Sequence, residues 1–195
     1  MNPHIVALTE KIRILEAELE AELAQRRAEL RVGLEKGRAF FEEEILRRHR
    51  ELRTRLSTYV LNARLLVILT APVIYALIVP LVLLDLFVTI YQAVCFPVYG
   101  IPKVSRRDYL VFDRRHLAYL NALEKFNCAY CSYANGLIAY VREIAGRTEQ
   151  YWCPIKHARR VIGAHPRYAS FEDYGDAEGY AKWLKQFQNA KKDRD

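Results

Sequence analysis

LLVILTAPVIYALIVPLVLLDLFVTIYQAVCFPVYGI, residues Leu65–Ile101, is a run of 37 residues whose single charge is Asp85. A helix that crosses a bilayer needs about 20 apolar residues, so the run is long enough with room to spare. Leu65 to Leu84 alone hold 14 Leu, Ile or Val. At roughly −0.3 to −0.6 kcal/mol each, these side chains supply about −6 kcal/mol toward insertion, against about +3 kcal/mol for an Asp at the centre. Lipid therefore wins over water as the solvent of this block. A core helix of a soluble protein would be shorter and would need an apolar partner surface, which the charged flanks do not offer.

A straight crossing is nevertheless awkward. As one helix the run would reach roughly 55 Å, well beyond a hydrocarbon core of roughly 30 Å. Pro72, Pro80 and Pro97 each remove a backbone donor and invite a kink. Arg50, Arg53, Arg55 and Arg64 precede the block and Lys103, Arg106, Arg107, Arg114 and Arg115 follow it, so the positive-inside rule sends both flanks to the cytoplasm. A proline-bent hairpin that dips into the membrane and returns is expected, with Asp85 near its tip in search of water, a headgroup or a partner; a single bent span is the alternative. The block begins about 65 residues in and lacks a small-residue cleavage pattern, so it does not read as a secretory signal.

Charge is distributed unevenly over the 195 residues. Of the net +7, residues 102–170 carry +7 by themselves, residues 1–64 carry +2, and residues 65–101 and 171–195 carry −1 each. The basic segment also holds Tyr109, Phe112, Tyr119, Phe126, Tyr130, Tyr133, Tyr140, Tyr151, Trp152 and Tyr168. Basic and aromatic residues together can grip single-stranded nucleic acid. Beside a membrane block they read instead as contacts to headgroups of the lipid bilayer, and nucleic acid is the weaker expectation.

Residues 5–63 contain no proline and place apolar side chains at Leu8, Ile12, Leu15, Leu19, Leu23, Leu30, Leu34, Phe41, Ile45, Leu52 and Leu56. These steps of three, four and seven predict a long amphipathic helix with a charged remainder. Gly33 and Gly37 weaken its centre by about 1 kcal/mol each, so a stuttered or locally broken coiled coil is expected. One apolar stripe needs a partner. A second copy of the chain or another protein fits better than the membrane surface, because the polar face is nearly balanced in charge.

All four cysteines lie at or after the end of the apolar block. Cys128-Ala129-Tyr130-Cys131 is a C-x2-C pair, and Cys153-Pro154-Ile155-Lys156-His157 is a C-x3-H pair. Three thiolates and one imidazole form the ligand set of a closed tetrahedral zinc site, so Cys128, Cys131, Cys153 and His157 are candidate ligands of a structural Zn2+. Ser132 and Tyr133 stand where a glycine would ease the tight turn of a zinc knuckle. Small buried thiols without metal are the plainer alternative, and a dithiol–disulfide couple at Cys128 and Cys131 is a third. Cys131 is not followed by His, which excludes covalent c-type haem attachment. Cys95, at the membrane edge, is open to lipidation or simple burial.

The spacing predicts one helix through Leu117, Leu120 and Leu123, a second through Leu137, Ile138, Val141 and Ile144 that ends near Gly146, and a third opened by Pro154. A further short helix is expected from about Asp176 to Asn189, followed by a frayed end. The segment Asp108–His157, with its NCAYC and EQYWCPIKHA motifs, resembles a stretch found in an uncharacterised family of bacterial membrane proteins. That likeness covers about a quarter of the chain and implies a bacterial membrane setting without an activity.

No glycine-rich phosphate loop, nucleophile elbow or H-E-x-x-H is present, so the usual enzyme fingerprints are missing. Asp113, His116, Glu143 and Glu149 have no spacing that singles out acid–base work, and no catalytic residue is assigned. The expected architecture is an all-α membrane protein in four parts: an amphipathic arm (1–64), a membrane-embedded segment (65–101), a helical Cys/His domain (102–166), and an acidic-aromatic linker with a short helix (167–195). The matching function is an adaptor or scaffold at the bacterial inner membrane with its Cys/His domain in the cytoplasm. A membrane redox or lipid-modifying metalloenzyme is the alternative.

Overall fold

The computed structural model describes residues 3–29, 32–35, 38–41 and 43–192. The fold is helical except for one small hairpin. Helix α1 runs Pro3–Glu29, strands β1 (Val32–Glu35) and β2 (Arg38–Phe41) pair antiparallel with Val32 opposite Phe41, and α2 (Glu43–Glu51) and α3 (Leu56–Leu61) follow. The amphipathic helix expected over residues 5–63, with a local break at its glycine-weakened centre, is divided into shorter pieces with a strand hairpin between them. The break includes Gly33, which pairs with Phe40 in the hairpin; glycine is costly within a helix. Gly37 and Leu30 lie outside the described residues.

The apolar block forms α4 (Leu65–Ala76) and α5 (Ile78–Tyr99), separated only by Leu77. Pro80 explains the joint: it lacks the N–H that would reach the Ala76 carbonyl. The chain tightens there, with the Leu77 N–H bonding the Ile74 carbonyl three residues back at 3.2 Å. The run Leu65–Tyr99 is one helical stretch of 35 residues with an apolar composition sufficient to cross a membrane. It does not fold back at Pro80, so the expected hairpin is not formed. Pro97 is accommodated within α5, which ends at Gly100 in the left-handed conformation, φ 67°, where a glycine carries no Cβ penalty.

After Gly100 the chain returns through two short 3-10 turns, Arg106–Asp108 and Asp113–His116, to α6 (Ala122–Trp152). Asn121 starts α6 with a reciprocal cap: its side chain accepts from the Glu124 N–H at 3.0 Å, and Glu124 accepts from the Asn121 N–H at 2.8 Å. Two compact units divide the chain, Glu16–Val141 in one and Arg142–Asp195 with Met1–Leu15 in the other.

In the first unit, one face of α4–α5 packs on α6 in the same chain direction. The Tyr75 hydroxyl donates to Asn127 at 2.6 Å, Tyr130 donates to the Ile74 carbonyl at 2.6 Å, and Tyr133 meets Asp85 seven residues before Tyr140 meets Gln92. Gly136 allows the return segment to lie directly on α6: a Cβ there would sit 2.4 Å from the Tyr109 carbonyl oxygen. Phe96, Val104, Leu137 and Tyr140 are buried here.

In the second unit, Cys153 ends α6 with its N–H on the Glu149 carbonyl at 2.7 Å. Pro154 follows as a buried extended residue, where the sequence led to a new helix. A parallel bridge pairs Ile155 with Glu172, with Glu172 N–H to Pro154 and Lys156 N–H to Glu172 each at 2.8 Å. A 3-10 turn, Pro166–Ser170, and α7 (Ala177–Lys192) complete the chain, with α7 close to the helix expected over Asp176–Asn189.

Candidate functional site

Helix α6 is unbroken through the interval in which two helices and a return were expected. Cys128 and Cys131 occupy adjacent turns within it, and Cys153 stands just past its end. All four cysteines are free, Cys131 and Cys153 exposed and Cys95 and Cys128 half-buried. Among the described residues, no group of three or more His, Cys, Asp or Glu side chains is placed to hold a metal ion. Cys128 and Cys131 belong to the first unit, and Cys153 and His157 to the second. Cys128 is also the seventh residue of α6, beyond the first turn in which a helix dipole activates a dithiol.

His157 instead belongs to a hollow of about 240 Å³ in the second unit, whose lining includes Arg142, Glu149, Val161, His165 and Tyr168. The His157 N–H donates to the Tyr168 hydroxyl at 2.6 Å, and the two rings stack. His165 is nearly enclosed, with Nε2 2.9 Å from Glu149 Oε2, and its ring presses on Gly146, where a Cβ would lie 2.9 Å from the imidazole. Arg142 donates to the Ala164 carbonyl and so closes the loop over α6. Below the hollow, one oxygen of Glu143 accepts from Arg147 at 2.7 Å and from Arg167 at 2.9 Å. Burial pulls this carboxyl upward, but the two guanidiniums outweigh it and hold it below its usual range. Lys156 at 2.8 Å holds the exposed Asp173 carboxyl low in the same way. The hydrogen bonds and rings around the hollow bind the loop 155–171 to α6.

The most developed polar arrangement lies on the inward face of the apolar helix. Asp85, Thr89, Gln92 and Phe96 follow at steps of four, three and four, which align them on one side. Arg106 grips Asp85 with both terminal nitrogens, one of them 2.6 Å from Oδ2; Tyr133 donates to Oδ2 at 2.9 Å, and Thr89 donates to Oδ1 at 3.4 Å. Burial, with Asp85 beside it, raises the Tyr133 phenol above its ordinary pKa. Two turns beyond Asp85, Gln92 accepts from the Val104 N–H at 2.6 Å and donates to the Tyr140 hydroxyl at 2.8 Å and the Val104 carbonyl at 3.3 Å. Asp85 thus finds its partner in the basic flank of its own chain. Nothing in the sequence singled out Arg106 from its neighbours, whereas the four-three-four spacing of Asp85, Thr89, Gln92 and Phe96 was there to be read.

The opposite face of the same helix has no protein against it among the described residues. Val79, Leu83, Phe87, Ile90, Val94 and Val98 are 50–75% exposed, and the first turns, Leu65 to Leu69, are 46–74% exposed. On α1, Leu8, Ile12, Leu15, Leu19 and Leu23 are 42–61% exposed, so the stripe predicted there is also unpartnered among the described residues.

Comparison with protein-family models, with curated proteins and with solved structures finds no match for this chain.

Proposed function

We propose that this protein is a membrane-anchored scaffold or adaptor. The observation that carries the reading is the division of α4–α5 into two faces. Every strongly polar group of α5 turns inward to a protein partner, and the outward face is a continuous apolar surface that lipid would cover at about 25 cal/mol per Å² removed from water. The bilayer is thus the first partner. Basic residues before and after the block would meet anionic headgroups, which fits the cytoplasmic leaflet of a bacterial inner membrane. The exposed stripe of α1 supplies a second docking surface, for another copy of the chain or a protein with a matching apolar stripe. A structural Zn2+ at Cys128, Cys131, Cys153 and His157 would be an addition to this role and is not required by it.

Reconstitution tests the proposal. Full-length protein mixed with anionic vesicles should float with them, and Leu15→Glu with Leu19→Glu should abolish cross-linking through α1 while leaving flotation intact. A chain that remains in the aqueous fraction, or cross-linking indifferent to the two substitutions, overturns the corresponding half of the reading.

A further inference from the structure

We infer that the apolar helix lies in the plane of the membrane, as an anchor in one leaflet, and does not cross the bilayer. This rests on the membrane reading above and specifies its geometry.

The first argument is length. The 35 residues of Leu65–Tyr99 extend about 52 Å at 1.5 Å per residue, against a core of about 30 Å. A 20-residue portion would have to serve as the span, with the rest outside. The second argument is what lies beside each portion. The return segment runs back along α5, from Val104 at Gln92 to Arg106 at Asp85, and brings the exposed Arg106, Arg107 and Asp108 alongside the middle of the helix. Farther back, Tyr75 bonds Asn127, which follows the capping Glu124 by three residues and Lys125 by two. Any 20-residue window from Leu65 to Tyr99 includes Tyr75, Asp85 or both. Every crossing therefore carries charged groups from the return segment or the start of α6 to hydrocarbon depth, at several kcal/mol each.

An in-plane position removes the conflict. The inward face of α5, with Asp85 and Gln92 satisfied by protein, turns toward the headgroups and water together with the return segment. The outward face, Val79, Leu83, Ile90 and Val94, sinks into the acyl boundary, as an interfacial amphipathic helix does, to a depth of about 5–10 Å. The basic residues of the return segment then sit at headgroup level, where they meet lipid phosphates.

Nitroxide labels at single cysteines replacing Leu69, Val73, Val79, Leu83, Ile90 and Val94, in a chain whose four native cysteines are changed to Ala, report depth by collision with oxygen and with a water-soluble nickel reagent. In vesicles of phosphatidylethanolamine and phosphatidylglycerol, all six labels should lie at similar shallow depth, within about 5 Å of one another. A crossing helix would separate Val79 from Val94 by up to about 22 Å along the bilayer normal, and that profile overturns the inference while leaving membrane binding intact. Labels that meet water equally with and without vesicles overturn both. Polarised infrared spectra of the unmodified protein in oriented bilayers check the outcome without substitutions: amide dichroism of helices perpendicular to the bilayer normal is expected, and dichroism of helices along the normal refutes it.

Discussion

Replacing Arg106 with Met should be among the most damaging single changes in the first unit. The Asp85 side chain is 10% exposed and that of Arg106 44%, so the substitution leaves a nearly enclosed carboxylate with only the Tyr133 and Thr89 hydroxyls. Removing one partner of a buried ion pair costs about 3–5 kcal/mol. The half-exposed guanidinium already shares its charge with solvent, which reduces the expected loss to about 2–3 kcal/mol. For a chain of this size that is a fall in Tm of about 5–10 °C. Asp85→Leu should cost less, about 1 kcal/mol, because the stranded Arg106 can turn to water. The double variant should recover most of the loss, since an apolar pair replaces an ionic one without leaving a buried charge. Thermal unfolding of the four proteins in mild detergent, followed by circular dichroism, closes the cycle. A coupling below about 0.5 kcal/mol, or an Arg106→Met protein that melts with the parent, would show that Asp85 does not depend on this partner.

Other positions give independent readings. Gly136→Ala drives a Cβ into the Tyr109 carbonyl, so the return segment must lift, with a loss of about 1–3 kcal/mol and faster proteolytic cleavage near Tyr109; unchanged cleavage would contradict that close approach. The Glu143 carboxyl is held below its unfolded value by Arg147 and Arg167, so its contribution is complete above the unfolded pKa and disappears as pH falls through the folded one. Glu143→Gln should therefore lower stability at neutral pH and flatten its acid-side decline, as pH-dependent denaturant titrations would show. Thiol titration should modify Cys131 and Cys153 first and Cys95 and Cys128 more slowly, following their exposure. Protection of the three thiols Cys128, Cys131 and Cys153 with one zinc per chain would instead establish the tetrahedral site.

Much of the helical content could be read from the chain, and the reasons for the misses are local. The block from Leu65 was recognisable because uninterrupted apolar composition needs no tertiary context. Its continuation past Pro80 without a reversal was not, because a proline's missing donor can be absorbed by one tightened turn at Leu77 as readily as by a hairpin. The cap of α6 was written in Asn121 and Glu124, yet hydrophobic spacing placed the helix start at Leu117, which here belongs to the return segment. Pro154 is compatible both with the first turn of a helix and with an extended strand, and the bridge of its neighbour Ile155 to Glu172 comes from a segment about 17 residues on, beyond what local pattern conveys. The candidate metal ligands rest on residue type and spacing alone, and those do not convey that a single helix, Ala122–Trp152, occupies the interval between the two pairs. Arg106 was one of several equivalent basic residues until the fold carried it to Asp85.

Fractionation of cells making the full chain, followed by an alkaline carbonate wash, tests membrane anchoring most directly. With the outward face of Leu65–Tyr99 in acyl chains, the protein should remain in the membrane pellet after the wash and leave it only with detergent. Recovery as a monodisperse protein in the aqueous fraction, with no lipid or detergent present, would contradict it.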